Sequence, residues 1–284
     1  MIRTSVATLA VTVPTVEEHW AGSGFRARTL RSRSEAVARV IGAMRERYAE
    51  PLTLESLARV AHCSAFHFNR VFHEVTGASP GQYLAAVRLE AAKRLLLTTG
   101  LSVAAVCFEV GYGSVGTFTT LFKRFVGVSP HRLRSIARET RPLLAALPAP
   151  RAAPDDGSPA PAGAHLRVEA PEGFAGAVFA GLFPAPIPRG RPVACAAASG
   201  PGVLEFTRVP DGRYYAFAVG VEGSGDPAEL LLCARSPRGS AGPLAAAGGG
   251  LRGATLTLRP PGPADPPLLV ALPCLLAERP APAG

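Results

Sequence analysis

Asn69 and Arg70 stand side by side in the stretch Ser64 to Pro80, and Ala65, Phe66 and His73 fall on the same helical face at three- and four-residue spacing. An arginine fork and a carboxamide can each form paired hydrogen bonds with a planar partner, and a histidine beside them adds a donor. A matching stretch, Ser114 to Pro130, carries Val115, Gly116, Thr119, Thr120 and Lys123 on the equivalent face, with Arg124, Arg132 and Arg134 close behind. These groups suit recognition of a polar, anionic partner. They do not suit turnover: acid pairs are sparse, His165 is the single histidine after His131, and no nucleophile, base and acid come together. The chain is therefore not expected to be an enzyme.

Charge points the same way. The net charge is +9, and residues 36–138 carry 13 Lys/Arg against 6 Asp/Glu, whereas residues 139–284 carry 12 of each. The basic surplus belongs to one segment, which implies a polyanionic partner for that segment alone. No apolar run approaches the ~20 residues that span a bilayer. Five scattered cysteines (Cys63, Cys107, Cys195, Cys233, Cys274) are never spaced as CxxC, so neither a disulfide framework nor a metal site is expected, and no cofactor. Cys195, with no neighbouring His or Arg in sequence to lower its pKa, reads as a core residue. Met1 to Val13 ends at Pro14 without a clear cleavage site and reads as a leader rather than a signal peptide, giving a cytoplasmic expectation.

The elements that must position these residues follow from caps and periodicity. From Ser34 to about Arg138 the text is helical, with a leading helix from Ser34 to Ala49. Thr53 to Ala58 matches Ser102 to Cys107, each opening on a hydroxyl N-cap. Ser64 to Pro80 (SAFHFNRVFHEVTGASP) matches Ser114 to Pro130 (SVGTFTTLFKRFVGVSP), one residue further apart because the turn around His62-Cys63 is shorter than Gly111-Tyr112-Gly113. A short helix, a tight turn and a second capped helix form a helix-turn-helix, here present twice. Phe68, Val71, Phe72 and Val75, and then Phe118, Leu121, Phe122 and Phe125, should be buried. Gly77 and Gly127 should end the second helices. Between the units, Ser79 to Thr98 with Pro80 at the first helical position predicts a helix ~28 Å long, near the ~34 Å that separates successive major grooves on one face of B-DNA.

The text LTLESLARVAHCSAFHFNRVFHEVTGASPGQYLAAVRLEAAKRLL followed by VAAVCFEVGYGSVGTFTTLFKRFVGVSPHRLR resembles the DNA-binding domain of the AraC/XylS family over residues ~35–138. The second half carries its most recognisable pattern, G-[FY]-x-S, an aromatic, F-K-R-x-x-G-x-S-P and a closing arginine. The resemblance implies seven helices, a rigid connecting helix and transcriptional control, more often activation, with RNA polymerase as a partner. It places base-reading positions at Ala65, Phe66, Asn69 and Arg70, and at Val115, Gly116, Thr119 and Thr120. Arg70 would pair with guanine, Asn69 with adenine and Phe66 with a thymine methyl. Phosphate contacts would fall to Ser64, His73, Ser114, Lys123, Arg124, Arg132 and Arg134. The second helix departs from the pattern: it has no Arg, Gln or Asn at its reading positions, so the first unit should carry most discrimination while the second docks on the backbone.

After Pro/Ala/Gly-rich text from Pro142 to Ala164, short apolar runs alternate with turns. Candidate strands are Phe174–Phe183, Pro192–Ala198, Val203–Arg208, Tyr214–Val221, Glu229–Ala234, Ala254–Arg259 and Leu268–Leu272. Together they predict a small all-β antiparallel sandwich. Val209 to Phe217 (VPDGRYYAF) resembles the turn and strand of transthyretin-like, carboxypeptidase-regulatory β-sandwiches. The expected organisation is multidomain: a leader over 1–33, an all-α tandem helix-turn-helix domain over 34–138, a linker over 139–164, the sandwich over 165–276 and a tail over 277–284. Sequence-specific binding of double-stranded DNA is the first reading. The alternative is non-specific or architectural DNA binding, with specificity supplied by a partner on the sandwich. For the sandwich itself, sensing of a small-molecule effector and docking of a protein partner stand side by side.

Overall fold

The computed structural model describes residues 24–136, 149, 163–185, 188–222, 231–233, 235–262, 265 and 267–270. Most of the expected leader and linker, and the whole tail, lie outside these residues.

Among the described residues, seven helices come first. α1 (Gly24–Glu46) starts upstream of the helix expected from Ser34, since no proline or glycine breaks the run between Phe25 and Ile41. α2 (Leu54–Val60) is opened by Thr53, whose hydroxyl accepts the Ser56 N–H while the Ser56 hydroxyl accepts the Thr53 N–H. α3 (Ala65–Thr76) and α6 (Val115–Val126) are opened by Ser64 and Ser114 and closed by Gly77 (φ 70°) and Gly127 (φ 95°). That left-handed C-cap is open to glycine at least cost. α5 (Val103–Glu109) begins at the Ser102 cap, and α7 is Pro130–Ile136. α4 (Pro80–Thr98) opens with a Ser79/Gln82 capping box and Pro80 in its first turn.

α4 joins two cores. Tyr83, Leu84 and Val87 pack with α1, α2 and α3 around Phe68 and Phe72. Ala86, Leu89, Ala92 and Leu96 pack with α5, α6 and α7 around Phe118, Phe122 and Leu133. One helix of 19 residues, ~28 Å long, thus carries both helix pairs.

The second half is sheet-rich: β1 (Ala164–Glu169), β2 (Gly176–Phe183), β3 (Ala194–Ala198), β4 (Gly202–Phe206), β5 (Gly212–Glu222), β6 (Arg238–Ala247) and β7 (Gly250–Thr257). They form one seven-stranded sheet in the order β3-β2-β5-β6-β7-β1-β4. β3 and β4 are the two ends of that order, yet only Ser199 to Pro201 link them. A flat sheet of seven strands is ~29 Å wide, more than so short a link can reach. The sheet therefore curls until its ends meet, close to a barrel. Its interior is filled by small side chains, among them Ala180, Ala196, Ala216 and Ala218 around Leu166, Leu182 and Phe206.

Several strand expectations change. Two facing antiparallel sheets become one curled sheet, and β1 pairs in parallel with β7. β6 is absent from the expected strands because Gly239, Gly242 and Pro243 read as turn text. The β5–β6 register shifts between Tyr214 and Ala216, opposite Gly242-Pro243, so the proline sits in an irregularity where no ladder donor is lost. β1 is hidden in sequence against the linker text. Glu229–Ala234 and Leu268–Leu272 are not strands over their described residues: Leu231 and Leu232 form a helical turn, and Leu268–Val270 is irregular. Leu231 and Leu268–Val270 are nonetheless buried, against the helices rather than in the sheet.

That packing makes the two halves share a core. Phe179, Phe183, Val219 and Val221 point out of the barrel and join the α4–α7 cluster, with Leu231, Cys233 and Leu268–Val270 beside them. Burial pushes the Cys233 thiol up, as for a core cysteine. Lys93, wholly buried on α4, donates to the Leu268 carbonyl at 3.2 Å.

Candidate nucleic-acid interface

α3 turns Phe68, Val71 and Phe72 inward and leaves its opposite face in solvent. Phe66 is 84% exposed there. Asn69, Arg70 and His73 are exposed on the same face, and Ala65 is half-buried at its start. Arg70 lies 3.8 Å from the Glu74 carboxylate, which also meets Arg33 at 3.4 Å. Pairs this exposed are worth ~0–1 kcal/mol, so the Arg70 fork is tethered loosely. The Ser64 hydroxyl accepts the His67 N–H at 3.3 Å, and its own O–H remains able to donate outward.

α6 repeats the arrangement with different chemistry. Phe118, Phe122 and Val126 are buried; Gly116, Thr120, Lys123 and Arg124 are exposed, with Val115 and Thr119 half-buried. Ser114 accepts the Thr117 N–H at 3.4 Å. Nothing beyond the Ser114 hydroxyl, at 3.9 Å, would meet a Cβ at Gly116, so no neighbouring group excludes a side chain there.

α7 treats its two arginines differently. Arg132 is half-buried, with its guanidinium 3.2 Å from the Ser135 hydroxyl. Arg134 turns inward: it donates to the carbonyls of Leu96 (3.0 Å), Leu101 (2.7 Å) and Thr99 (3.5 Å), tying α7 to the end of α4. Arg88 is its counterpart for the first unit, donating to Tyr48 (2.7 Å) and Glu50 (2.8 Å) carbonyls and lying over the Tyr112 ring. Sequence reading passes over Arg88, since nothing in its spacing distinguishes a clamp from a solvated arginine.

It also passes over the loop between β2 and β3. Gly190 donates its N–H to the Phe125 carbonyl at 3.1 Å, and Arg191 Nε donates to the Gly127 carbonyl at 3.3 Å. Phe125 lies in the last turn of α6 and Gly127 is its C-cap, so neither carbonyl is satisfied by the helix itself. Arg189 and Arg124 lie over the Phe125 ring, at 5.5 and 6.0 Å. An open cleft of about 500 Å³ results, lined by Thr119, Thr120, Lys123 and Arg124 of α6 and by Gly190 and Arg191 of the loop. The equivalent end of α3 differs: Gly127 is buried, whereas Gly77 is exposed.

Among the described residues no group of His, Cys, Asp and Glu could hold a metal ion, and no helix is long and apolar enough to cross a membrane. The two units and their caps account for what the chain is similar to. A family model described as a helix-turn-helix domain matches residues 57–136. The Bacillus subtilis (strain 168) bifunctional transcriptional activator/DNA repair enzyme AdaA is 36% identical over 91 residues, 32% of this chain and 43% of that protein. The Escherichia coli (strain K12) RCS-specific transcriptional activator RclR is 34% identical over 103 residues, 36% of each. This chain thus matches less than half the length of either relative. Among solved structures, the DNA-binding domain of the global transcriptional factor AdpA, in complex with a target DNA, is 35% identical, covering 37% of this chain and 96% of that one, with a TM-score of 0.36. Residues 57–136 form a helix-turn-helix DNA-binding domain of the AraC/XylS family.

Proposed function

We propose that this protein is a sequence-specific, DNA-binding transcription regulator that places α3 and α6 in neighbouring major grooves of one duplex. The observation that carries the reading is the pair of exposed helix faces held apart by α4, each on a helix whose apolar side is buried. A connecting helix whose ~28 Å length approaches one helical turn of DNA lets a single chain do what a simple helix-turn-helix repressor does as a dimer. Asn69 and Arg70 read base edges, with Phe66 against a thymine methyl. Val115, Gly116, Thr119 and Thr120 make weaker contacts. Ser64, His73, Ser114, Lys123, Arg124 and Arg132 hold phosphates, and Arg134 supports them from within.

Activation through RNA polymerase and a cytoplasmic location go with this reading, as does the absence of catalysis. The barrel-like domain, its interior filled by its own side chains, is better suited to docking than to enclosing an effector. Selection of bound sites from genomic fragments, with full-length protein at physiological salt, tests the proposal. A shared motif with one strong and one weak half supports it. Salt-sensitive binding without a motif favours a non-specific, architectural protein.

A further inference from the structure

The loop between β2 and β3 packs against the C-terminal end of α6. α6 offers no bidentate reader, and its exposed end carries Lys123 and Arg124. Against that end the second domain brings Arg189 and Arg191, from a half in which acidic and basic residues balance. Among the described residues no carboxylate lines the cleft, which Arg191 shares with Lys123 and Arg124, while Arg189 lies over the Phe125 ring.

A segment that merely covered a basic face would bring negative charge to it. This one brings Arg191 to the cleft that Lys123 and Arg124 line, and Arg189 over the same Phe125 ring as Arg124, a concentration of positive charge that suits an anionic partner. The loop also leaves the start of α6 open, since Gly116, Thr117 and Thr120 remain exposed. It flanks the helix rather than blocking it.

The contact is built, not incidental. A Cβ at Gly190 (φ 67°) would lie 2.8 Å from the Arg124 carbonyl, so the loop approaches as closely as only a glycine permits. Its N–H and the Arg191 side chain complete the helix end by satisfying the Phe125 and Gly127 carbonyls.

We infer that Arg189 and Arg191 extend the DNA interface, so that the cleft between α6 and this loop takes duplex-DNA phosphates flanking the second half-site. The inference rests on the DNA-binding reading above. It makes the second domain a structural part of the DNA-binding surface.

The test is the salt dependence of binding by full-length protein to a selected DNA fragment. For Arg189→Ala the slope of log K against log salt should fall by about one, and for Arg189→Ala with Arg191→Ala by about two. Base preference should stay as in wild type, and lysine at both positions should restore the slope. Arg189→Ala removes only a ring contact, so it keeps the test valid if Arg191→Ala disturbs the helix end. Slopes equal to wild type in both alanine variants, or tighter binding, overturn the inference alone, the latter showing a cover. A wild-type protein that binds no DNA overturns this inference and the proposed function together.

Discussion

The Tyr83 hydroxyl donates to the Asp265 backbone carbonyl at 2.9 Å, across 182 residues of sequence. Tyr83 belongs to α4, and Asp265 to a turn held by Arg259, which meets both carboxylate oxygens at 2.8 and 3.0 Å. The connecting helix is thereby tied to the sheet-rich half.

Burial pushes the Tyr83 phenol up to about 12, against ~10 in an unfolded chain. The folded state then holds its proton more tightly than the unfolded state. Its contribution to stability is complete below pH ~10 and is lost as pH rises toward about 12. Chemical denaturation across that window should show falling stability in the wild type. In Tyr83→Phe the slope should flatten, with a loss of ~1 kcal/mol at neutral pH. An unchanged alkaline slope would detach it from Tyr83.

The shared core predicts cooperative unfolding. Phe179 is fully buried on the outer face of β2, among α4–α7 residues. Phe179→Ala should cost ~3–5 kcal/mol and move helix and sheet signals together in calorimetry or denaturant titration. Two separate transitions in the wild type would show that the halves stand independently.

Arg70 and Asn69 lie on an exposed face of the sort that reads base edges. Arg70→Ala should lose ~1–3 kcal/mol of discrimination at one base position while leaving folding intact. Glu74→Gln, which releases Arg70 from its ion pair, should change stability by less than ~1 kcal/mol. Equal weakening of Arg70→Ala on all sequences would place base reading elsewhere.

Lys123 and Arg134 separate phosphate contact from support. Lys123→Ala should weaken binding to all sequences alike and lower the salt slope by about one. Arg134→Ala strips three carbonyls of their donor and should instead cost ~1.5–3 kcal/mol of stability, with the salt slope unchanged. A lowered slope for Arg134→Ala would make it a direct DNA contact.

The helical half was legible because its signals are local. Thr53, Ser64, Ser79, Ser102 and Ser114 each cap the helix expected of them, and Gly77 and Gly127 close theirs. The sheet half depends on partners distant in sequence. Nothing in Ala164–Glu169 foretells a parallel partner in β7, and Gly242-Pro243 disguises β6 as a turn. The exposure of the α3 face was readable from helical period. The Arg134 clamp and the approach of Gly190 to α6 were not, since each depends on a carbonyl that only the folded chain brings near.

The most direct test of the central claim is a hydroxyl-radical footprint of full-length protein on a selected site, at a measured ratio of one chain per duplex. Two protected stretches on one face of the DNA, centred ~10–10.5 base pairs apart, are expected, with protection extending beyond the second stretch. One protected stretch per chain, or two that appear only when a second chain binds, would contradict the claim.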